Sequence, residues 1–282
     1  MAATISSKNP LMNARKSNEF SGNPSTVRFG AVAYLNTKPL IYGLEERLGE
    51  CGTLSLALPS RLAKDMEDGL LDVGLIPVVE YLRNRDRYHI VSDAGIACQG
   101  PVWSVRILFR VPPDRVRTLG TDEGSRTSVA LSQVLFASRF GSIPTSIPFP
   151  IGSEPRDCPA DAVLVIGDRA MNPERFRSEF LLDWDLGDEW FKETGLPFIF
   201  ALWVARDESF VTSDAQAALE SSRDDGCRNI EEIIQKYSSD YGLTHQACRE
   251  YMTYYLRFHV QDQELSGLSE FARRCKQLGI VK

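Results

Sequence analysis

The stretch VRFGAVAYLNTKPLIYGLEERL, Val27 to Leu48, decides how the rest of the chain is read. It opens on an apolar run, Val27 to Tyr34, and then places Asn36-Thr37 where they can cap a helix through Lys38-Pro39 to Leu48. Proline suits a first helical turn, because its missing N–H would be unpaired there anyway. The same order of strand, tight turn and helix recurs in TLSLALPSRLAKDMEDG (53–69), with Ser60 as the expected N-cap ahead of Leu62, Ala63 and Met66 on one helical side. It recurs again in LDVGLIPVVEYLRN (71–84), with Pro77 just inside the next helix. Three such units in under 60 residues predict an α/β layer on a parallel sheet.

That rhythm breaks in YHIVSDAGIACQGPVWSVRILFRV (88–111), two extended segments separated by Gln99-Gly100-Pro101. After Pro112-Pro113 it returns as VRTLGTDEGSRTSVALSQVLFASRF, followed by the apolar run DAVLVIGD. ETGLPFIFALWVAR (193–206) is extended once more, and beyond it lie only helical patterns: NIEEIIQKY, ACREYMTYYLRF and LSEFARRCKQL. Long extended segments at 102–111 and 196–206 thus bracket a middle section that reads as a small α/β domain. A chain that leaves one lobe, builds a second and returns gives this layout, with a ligand cleft between the lobes. The expected division is a disordered tail over 1–26, one lobe from 27–108 and 198–282, and a second from 109–197. The alternative is a single sheet with both segments as central strands.

At 282 residues, 43% hydrophobic and 25% charged, the chain is long and apolar enough for one or two cores. Its 38 acids against 32 bases give a net charge of −6, which offers no field for a nucleic acid or an anionic membrane. A small anionic ligand would have to be held by local donors. Of the six cysteines, the closest pair is Cys227 and Cys248, 21 positions apart, so neither CxxC nor zinc-ribbon spacing occurs and buried free thiols are expected. MAATISSKNPLMNARKSNEFSGNPSTV has no apolar run of signal-peptide length, and no later stretch approaches the roughly 20 apolar residues of a membrane span. A soluble cytoplasmic protein is the resulting expectation; the basic residues of the tail leave a transit peptide as the lesser reading.

Four places carry candidate chemistry. Thr121-Asp122-Glu123-Gly124-Ser125-Arg126-Thr127-Ser128 lies between a strand and a helix, so its N–H groups and hydroxyls suit a carboxylate or phosphate, or simply cap the helix. Tyr34-Leu35-Asn36-Thr37 ends the first strand, where ligands of open α/β sheets sit; Asn36 either meets a ligand or caps the next helix. Ser104, in Pro101-Val102-Trp103-Ser104-Val105, is polar within an apolar strand and points either to the cleft or outward. Ile166-Gly167-Asp168 ends another strand, with Asp168 as a cap or a cleft residue. His89, His245 and His259 leave the section from 112 to 195 without histidine, and neither HExxH, GxSxG nor a GxxxxGK[ST] loop is present. A metal site and nucleotide use are not expected. A proton-moving base would be a carboxylate, a Tyr, a Lys or the ligand itself, and Lys38, Asp183, Asp185 and Asp188 are available.

Taken together, VRFGAVAYLNTKPLIYGL, GPVWSVRILF, TDEGSRTSVALSQVLF, AVLVIGDRA and DLGDEWFKETGLPFIFALWVAR resemble the successive signatures of the chorismate dehydratases of the futalosine route to menaquinone. The resemblance runs in order from Val27 to Arg206, extends more weakly through the C-terminal helices and leaves the tail outside. It implies a two-lobed periplasmic-binding-protein type II fold with two crossover strands and the substrate in the cleft. It also implies loss of water from chorismate, a small-molecule substrate, to give 3-[(1-carboxyvinyl)oxy]benzoate with no cofactor and no metal. The Tyr34-Leu35-Asn36 turn resembles the dehydratase rather than the sister naphthoate-forming family.

On this resemblance Asn36 is the expected catalytic residue, orienting the reacting C3–C4 edge or the departing hydroxyl. Tyr34, Ser104, Ser125, Thr127, Ser128, Gly167 and Asp168 are the expected substrate-binding residues, with the ring carboxylate pinned by the Ser/Thr helix terminus. Aromatisation supplies driving force, so the protein mainly has to hold one reactive pose and stabilise charge as it develops. The lack of histidine in the middle section motivates the substrate's own enolpyruvyl carboxylate as base. The competing class is a solute-binding protein that closes on its ligand by hinge motion, and the sister synthase is a third reading.

Overall fold

The computed structural model describes residues 26–121, 124, 126–150 and 152–282. The tail expected over 1–26 lies, but for Thr26, outside them. Along the chain the strands are β1 (Val27–Val32), β2 (Gly52–Ala57), β3 (Val73–Pro77), β4 (His89–Cys98), β5 (Val105–Phe109), β6 (Thr118–Thr121), β7 (Thr145–Pro148), β8 (Ala162–Ile166), β9 (Leu182–Asp185), β10 (Phe198–Ala205) and β11 (Arg257–His259). The α-helices are α1 (Leu44–Leu48), α2 (Pro59–Glu67), α3 (Val78–Arg83), α4 (Arg126–Phe140), α5 (Leu186–Thr194), α6 (Ser213–Arg228), α7 (Ile230–Tyr237), α8 (His245–Glu250) and α9 (Asp262–Gln277).

The strands form two sheets, one in the order β11-β4-β10-β3-β1-β2 and the other β7-β6-β8-β5-β9. As the strand-helix units predict, β1 pairs parallel with β2 and β3, and β6 pairs parallel with β7 and β8. β3 is buried at every position, as a strand covered on both faces must be. Each sheet also takes one antiparallel strand into its interior: β10 between β3 and β4, and β5 between β8 and β9. These are the first strands laid down after each change of sheet. β5 pairs wholly within the second sheet, so the chain crosses between Cys98 and Val105, earlier than the break expected after residue 108. The apolar VRILF run fits either sheet by its pattern, and only the pairing tells them apart. The return falls between Thr194 and Phe198.

Three local expectations are corrected. The helix expected from Asn36 to Leu48 is two pieces, a 3₁₀ segment Leu35–Ile41 and α1, separated at Gly43, whose φ of 62° is left-handed and ends the first piece. The 3₁₀ segment packs hard against α6: a Cβ on Gly226 would lie 2.0 Å from the Pro39 carbonyl oxygen, so only glycine permits the approach. The second helix begins at Pro59 with Leu58 at its N-cap, which puts Ser60 inside the helix. The C-terminal run is not wholly helical, since β11 pairs antiparallel with β4 and follows a π-helical turn over Tyr251–Tyr255.

One continuous apolar core runs from the first sheet through the crossing segments into the second, with Trp190, Trp203, Phe109 and Phe136 fully buried in it. A smaller cluster around Phe149, Val165 and Phe176 covers the second sheet's other face. At the far end of β1, buried Asp72 accepts from the Arg28 backbone at 2.9 Å and from the Arg28 and Arg206 guanidinium groups at 2.7 and 3.0 Å, tying β1 to the end of β10. Among the described residues no helix is long and apolar enough to cross a membrane.

Candidate active site

The carboxyl ends of parallel strands from both sheets, marked by Val32, Pro77 and Ile166, open onto one cleft of about 920 Å³, mouth included. Open α/β sheets bind ligands at the carboxyl ends of their parallel strands. The walls are mostly apolar, with Leu75, Ile96, Val102, Ile166 and Phe200 among them. Polar groups enter at a few points, which is what fixes a ligand's orientation.

At one end stands the N-terminus of α4. Gly124, Arg126, Thr127 and Ser128 line the cleft there, whereas Ser125, with Asp122 and Glu123, lies outside the described residues. The first-turn N–H groups and the Arg126 guanidinium make this end the cleft's anion-attracting one. Arg126 reaches Glu80 of α3 on the opposing lobe, 3.3 Å away. Thr127 also bridges the lobes: its Oγ1 donates to the Phe200 carbonyl at 3.3 Å and accepts from Val79 N–H at 3.4 Å. Its one hydroxyl hydrogen is therefore spent on β10. Thr127 lines the cleft as a tie between lobes, while Ser128, 6% exposed, sits beside it.

The same cleft is lined by a cluster assembled from three distant segments. The 3₁₀ segment after β1 carries Asn36, which does not cap a helix; Tyr34 is at the N-cap. Asn36 lines the cleft, and its buried Oδ1 has no hydrogen-bond partner. Ser104, 4% exposed, precedes β5 and accepts from the Tyr251 phenol at 2.9 Å. Burial pushes that phenol well above its ordinary value, although the hydrogen bond to Ser104 pulls the other way. Tyr251 comes from the π-helical turn, and no strand or helix period in the sequence marks it.

The segment that carries Ser104 is held by a buried carboxylate. Asp185 Oδ1 accepts from Val102 N–H at 2.9 Å, and Oδ2 accepts from Trp103 N–H at 2.7 Å. The same Oδ1 caps α5 through Gly187 and Asp188 N–H at 3.1 and 3.2 Å. Burial pushes this carboxyl above the ordinary range, opposed by the backbone donors and Arg106. The clasp holds Trp103 at φ 66°, left-handed and strained for a bulky residue, with its ring stacked on Tyr255 at 5.2 Å and edge-on to Tyr251 at 6.1 Å.

Gly167 donates its N–H to the Ser104 carbonyl at 2.8 Å, and Asp168 stands exposed at the cleft's edge, within the 3₁₀ turn Gly167–Met171. Tyr34 lines the wall near Tyr241, whose phenol donates to the Ala33 carbonyl at 3.1 Å and is pushed up to about 12, chiefly by burial. The structure thus brings Tyr34, Asn36, Ser104, Thr127, Ser128, Gly167 and Asp168 together around one cleft. Sequence reasoning missed Arg126, Tyr241 and Tyr251; the first lay within a quoted motif, while the other two lie in C-terminal turns with no pattern to flag them. None of Lys38, Asp183, Asp185 and Asp188 lines the cleft. Lys38 sits over the Tyr237 ring at 4.6 Å, Asp183 pairs with Arg106, and Asp188 pairs with Lys192 at 2.6 Å.

Residues 27–277 match the family model described as menaquinone biosynthesis. The chain belongs to that family. Chorismate dehydratase of Thermus thermophilus is 27% identical over 259 residues, spanning 86% of this chain and 93% of its own. That of Campylobacter jejuni is 23% identical, spanning 90% and 99%. Among solved structures, a protein of Archaeoglobus fulgidus has a TM-score of 0.74 at 16% identity, covering 92% of this chain and all of its own. The aliphatic sulphonate binding protein SsuA of Escherichia coli has a TM-score of 0.60 at 14% identity, covering 92% of this chain and 89% of its own. In this member of the menaquinone-biosynthesis family, then, the fold is the two-lobed type II fold of periplasmic binding proteins.

Proposed function

We propose that the protein is a chorismate dehydratase, a hydro-lyase of menaquinone biosynthesis by the futalosine route that converts chorismate to 3-[(1-carboxyvinyl)oxy]benzoate. The observation that carries this reading is the make-up of the cleft: one apolar-walled pocket lined by the α4 N-terminus with Arg126 and by Asn36 and Ser104. A cyclohexadiene ring suits such walls, its ring carboxylate suits the α4 terminus, and its C3–C4 edge then falls beside Asn36. The family and the names of the two dehydratase relatives support the same reading.

The elimination breaks the C3–H bond, whose electron pair becomes the new C3=C4 bond, and breaks the C4–O bond, whose pair leaves with the hydroxyl. Charge spreads through the ring diene onto the carboxylate in a dienolate-like state, where the α4 N-terminus and Arg126 stabilise it. The titratable groups lining the cleft are Tyr34, Arg126, Asp168, Tyr241 and Tyr251 among the described residues. Tyr241 and Tyr251 hold their protons far too tightly to act as bases, and Asp168 stands at the edge. The enolpyruvyl carboxylate, adjacent to C3 on the substrate itself, takes the proton and returns it to the departing hydroxyl as water. Asn36 holds the reacting edge.

Incubating the purified protein with chorismate alone and following the mixture by liquid chromatography and mass spectrometry tests the reading. An aromatic product lighter by one water is expected. Unchanged chorismate in the presence of folded protein overturns it, and tight binding without turnover would move the assignment to a solute-binding protein.

A further inference from the structure

Two consecutive residues of α3 hold two consecutive residues of α4 on the opposing lobe. Val79 N–H donates to Thr127 Oγ1 at 3.4 Å, and Glu80 Oε1 lies 3.3 Å from Arg126 Nη1. Thr127 adds a third link by donating to the Phe200 carbonyl at 3.3 Å. Val79 N–H belongs to the first turn of α3, where no carbonyl of its own helix can receive it, so Thr127 is the acceptor that satisfies this buried donor. Glu80 has a second cation within its own helix: Arg83 Nη1 lies 2.7 Å from the same Oε1. The bond inside α3 is short and the three between the lobes are long. When the lobes part, Glu80 keeps Arg83 and only the long bonds break.

Arg126 lines the cleft, whereas Glu80 does not, so Glu80 grips Arg126 without itself meeting a ligand there. A guanidinium carries five N–H donors, and one nitrogen given to Glu80 leaves others for a carboxylate. Arg126 and the first turn of α4 belong to the second lobe and Asn36 to the first, so the separation between them is set by how closely the lobes approach. We propose that Glu80 is a positioning residue: it holds Arg126 and the first turn of α4 against the first lobe, and so keeps the cleft in the closed form that binds substrate. The inference rests on the dehydratase reading for the identity of that substrate, and on the geometry alone for the latch. Arg274 of α9 also pairs with Glu193, but Glu193 stands in the last turn of α5, beside the return segment, and that pair does not hold the first turn of α4.

Glu80→Gln keeps the shape of the side chain and removes its charge. In ligand-free, ¹⁵N-labelled protein, hydrogen exchange of the Val79 amide should quicken about 2–5-fold, the scale of one partly exposed ion pair. Arg126→Gln, made on the other lobe, should quicken the same amide by a similar factor, and the double variant no more than the faster single. Arg83→Ala breaks the shorter bond, which does not span the lobes, and should not quicken it. On turnover, Glu80→Gln should raise KM for chorismate about 2–5-fold with kcat within about twofold, because long bonds hold the closed form weakly and apparent affinity falls with the closed share. A carboxylate that served only as a negative charge beside Arg126 would act the other way, since its removal strengthens the pull on an anionic substrate and lowers KM. Val79 exchange unchanged in Glu80→Gln and Arg126→Gln, exchange quickened as much by Arg83→Ala, or a KM unchanged or lowered in Glu80→Gln would each overturn the proposal. Arg126→Gln keeps the exchange test in force if Glu80→Gln does not fold. That readout needs no chorismate, so failure of the dehydratase reading and failure of the latch are distinguishable.

Discussion

Replacing Asp185 by alanine perturbs a carboxylate that ties the first crossing segment to the N-terminus of α5. Two of its four backbone bonds, to Val102 and Trp103 N–H at 2.9 and 2.7 Å, serve the crossing segment, where Val102 is 1% exposed and water cannot replace the lost acceptor. Each buried donor left unpaired costs about 1–3 kcal/mol. The other two bonds cap α5, and loss of a cap costs about 1 kcal/mol. Removing the buried charge returns part of this, because burial already holds the carboxyl above its ordinary range. The net expectation is a loss of about 3–5 kcal/mol. Asp185→Asn keeps Oδ1 for three donors but turns an NH₂ group onto the Trp103 N–H, which predicts about half that loss. Urea unfolding followed by tryptophan fluorescence measures both. Because Ser104 is two residues from Val102, the folded alanine variant should also lose about 100-fold in kcat/KM, the scale of a misplacement of roughly 1 Å. Both variants within about 0.5 kcal/mol of wild type would refute the clasp.

Trp103 supplies a second test: at φ 66° glycine is tolerated and alanine is not, so Trp103→Gly should be more stable than Trp103→Ala by about 1 kcal/mol in the same unfolding assay, opposite to the usual order. Gly226→Ala would set a Cβ 2.0 Å from the Pro39 carbonyl and push the 3₁₀ segment that carries Asn36; a loss of about 2–3 kcal/mol in denaturation, together with reduced turnover, is expected. The Asp72 carboxyl is pushed up by burial but held below its ordinary 3.8 by the stronger effect of the Arg28 and Arg206 hydrogen bonds. A carboxyl depressed in the folded state stabilises above its unfolded pKa and loses that contribution as pH falls through the folded one. The stability gap between wild type and Asp72→Asn should therefore be widest near neutral pH and close as the pH drops below 3.8.

The strand-helix periodicity was legible because each unit buries its own apolar run, and the parallel pairing of β1, β2 and β3 follows from it. The sheet to which β5 belongs was not legible, since VRILF carries the same alternation in either sheet. Asn36 and Asp168 could be singled out because each is a polar residue at the end of an apolar run, and Ser104 because it is polar within one. Tyr251 lies 147 positions from Ser104, and the turn that delivers it is π-helical, so no local period announces their contact. Asp185 was read as a candidate base from its charge, and in the fold it is fully occupied by backbone donors. Thr127 was placed at the ligand by its motif, but its hydroxyl hydrogen goes to a carbonyl of β10, a partner that only the packing of the two lobes supplies.

The most direct test of the central claim uses chorismate carrying deuterium at C3. An aromatic product free of deuterium is expected, formed more slowly than from unlabelled substrate, with the label found in water. Product that retains the deuterium, or no aromatic product at all, would contradict a C3-proton elimination in this cleft.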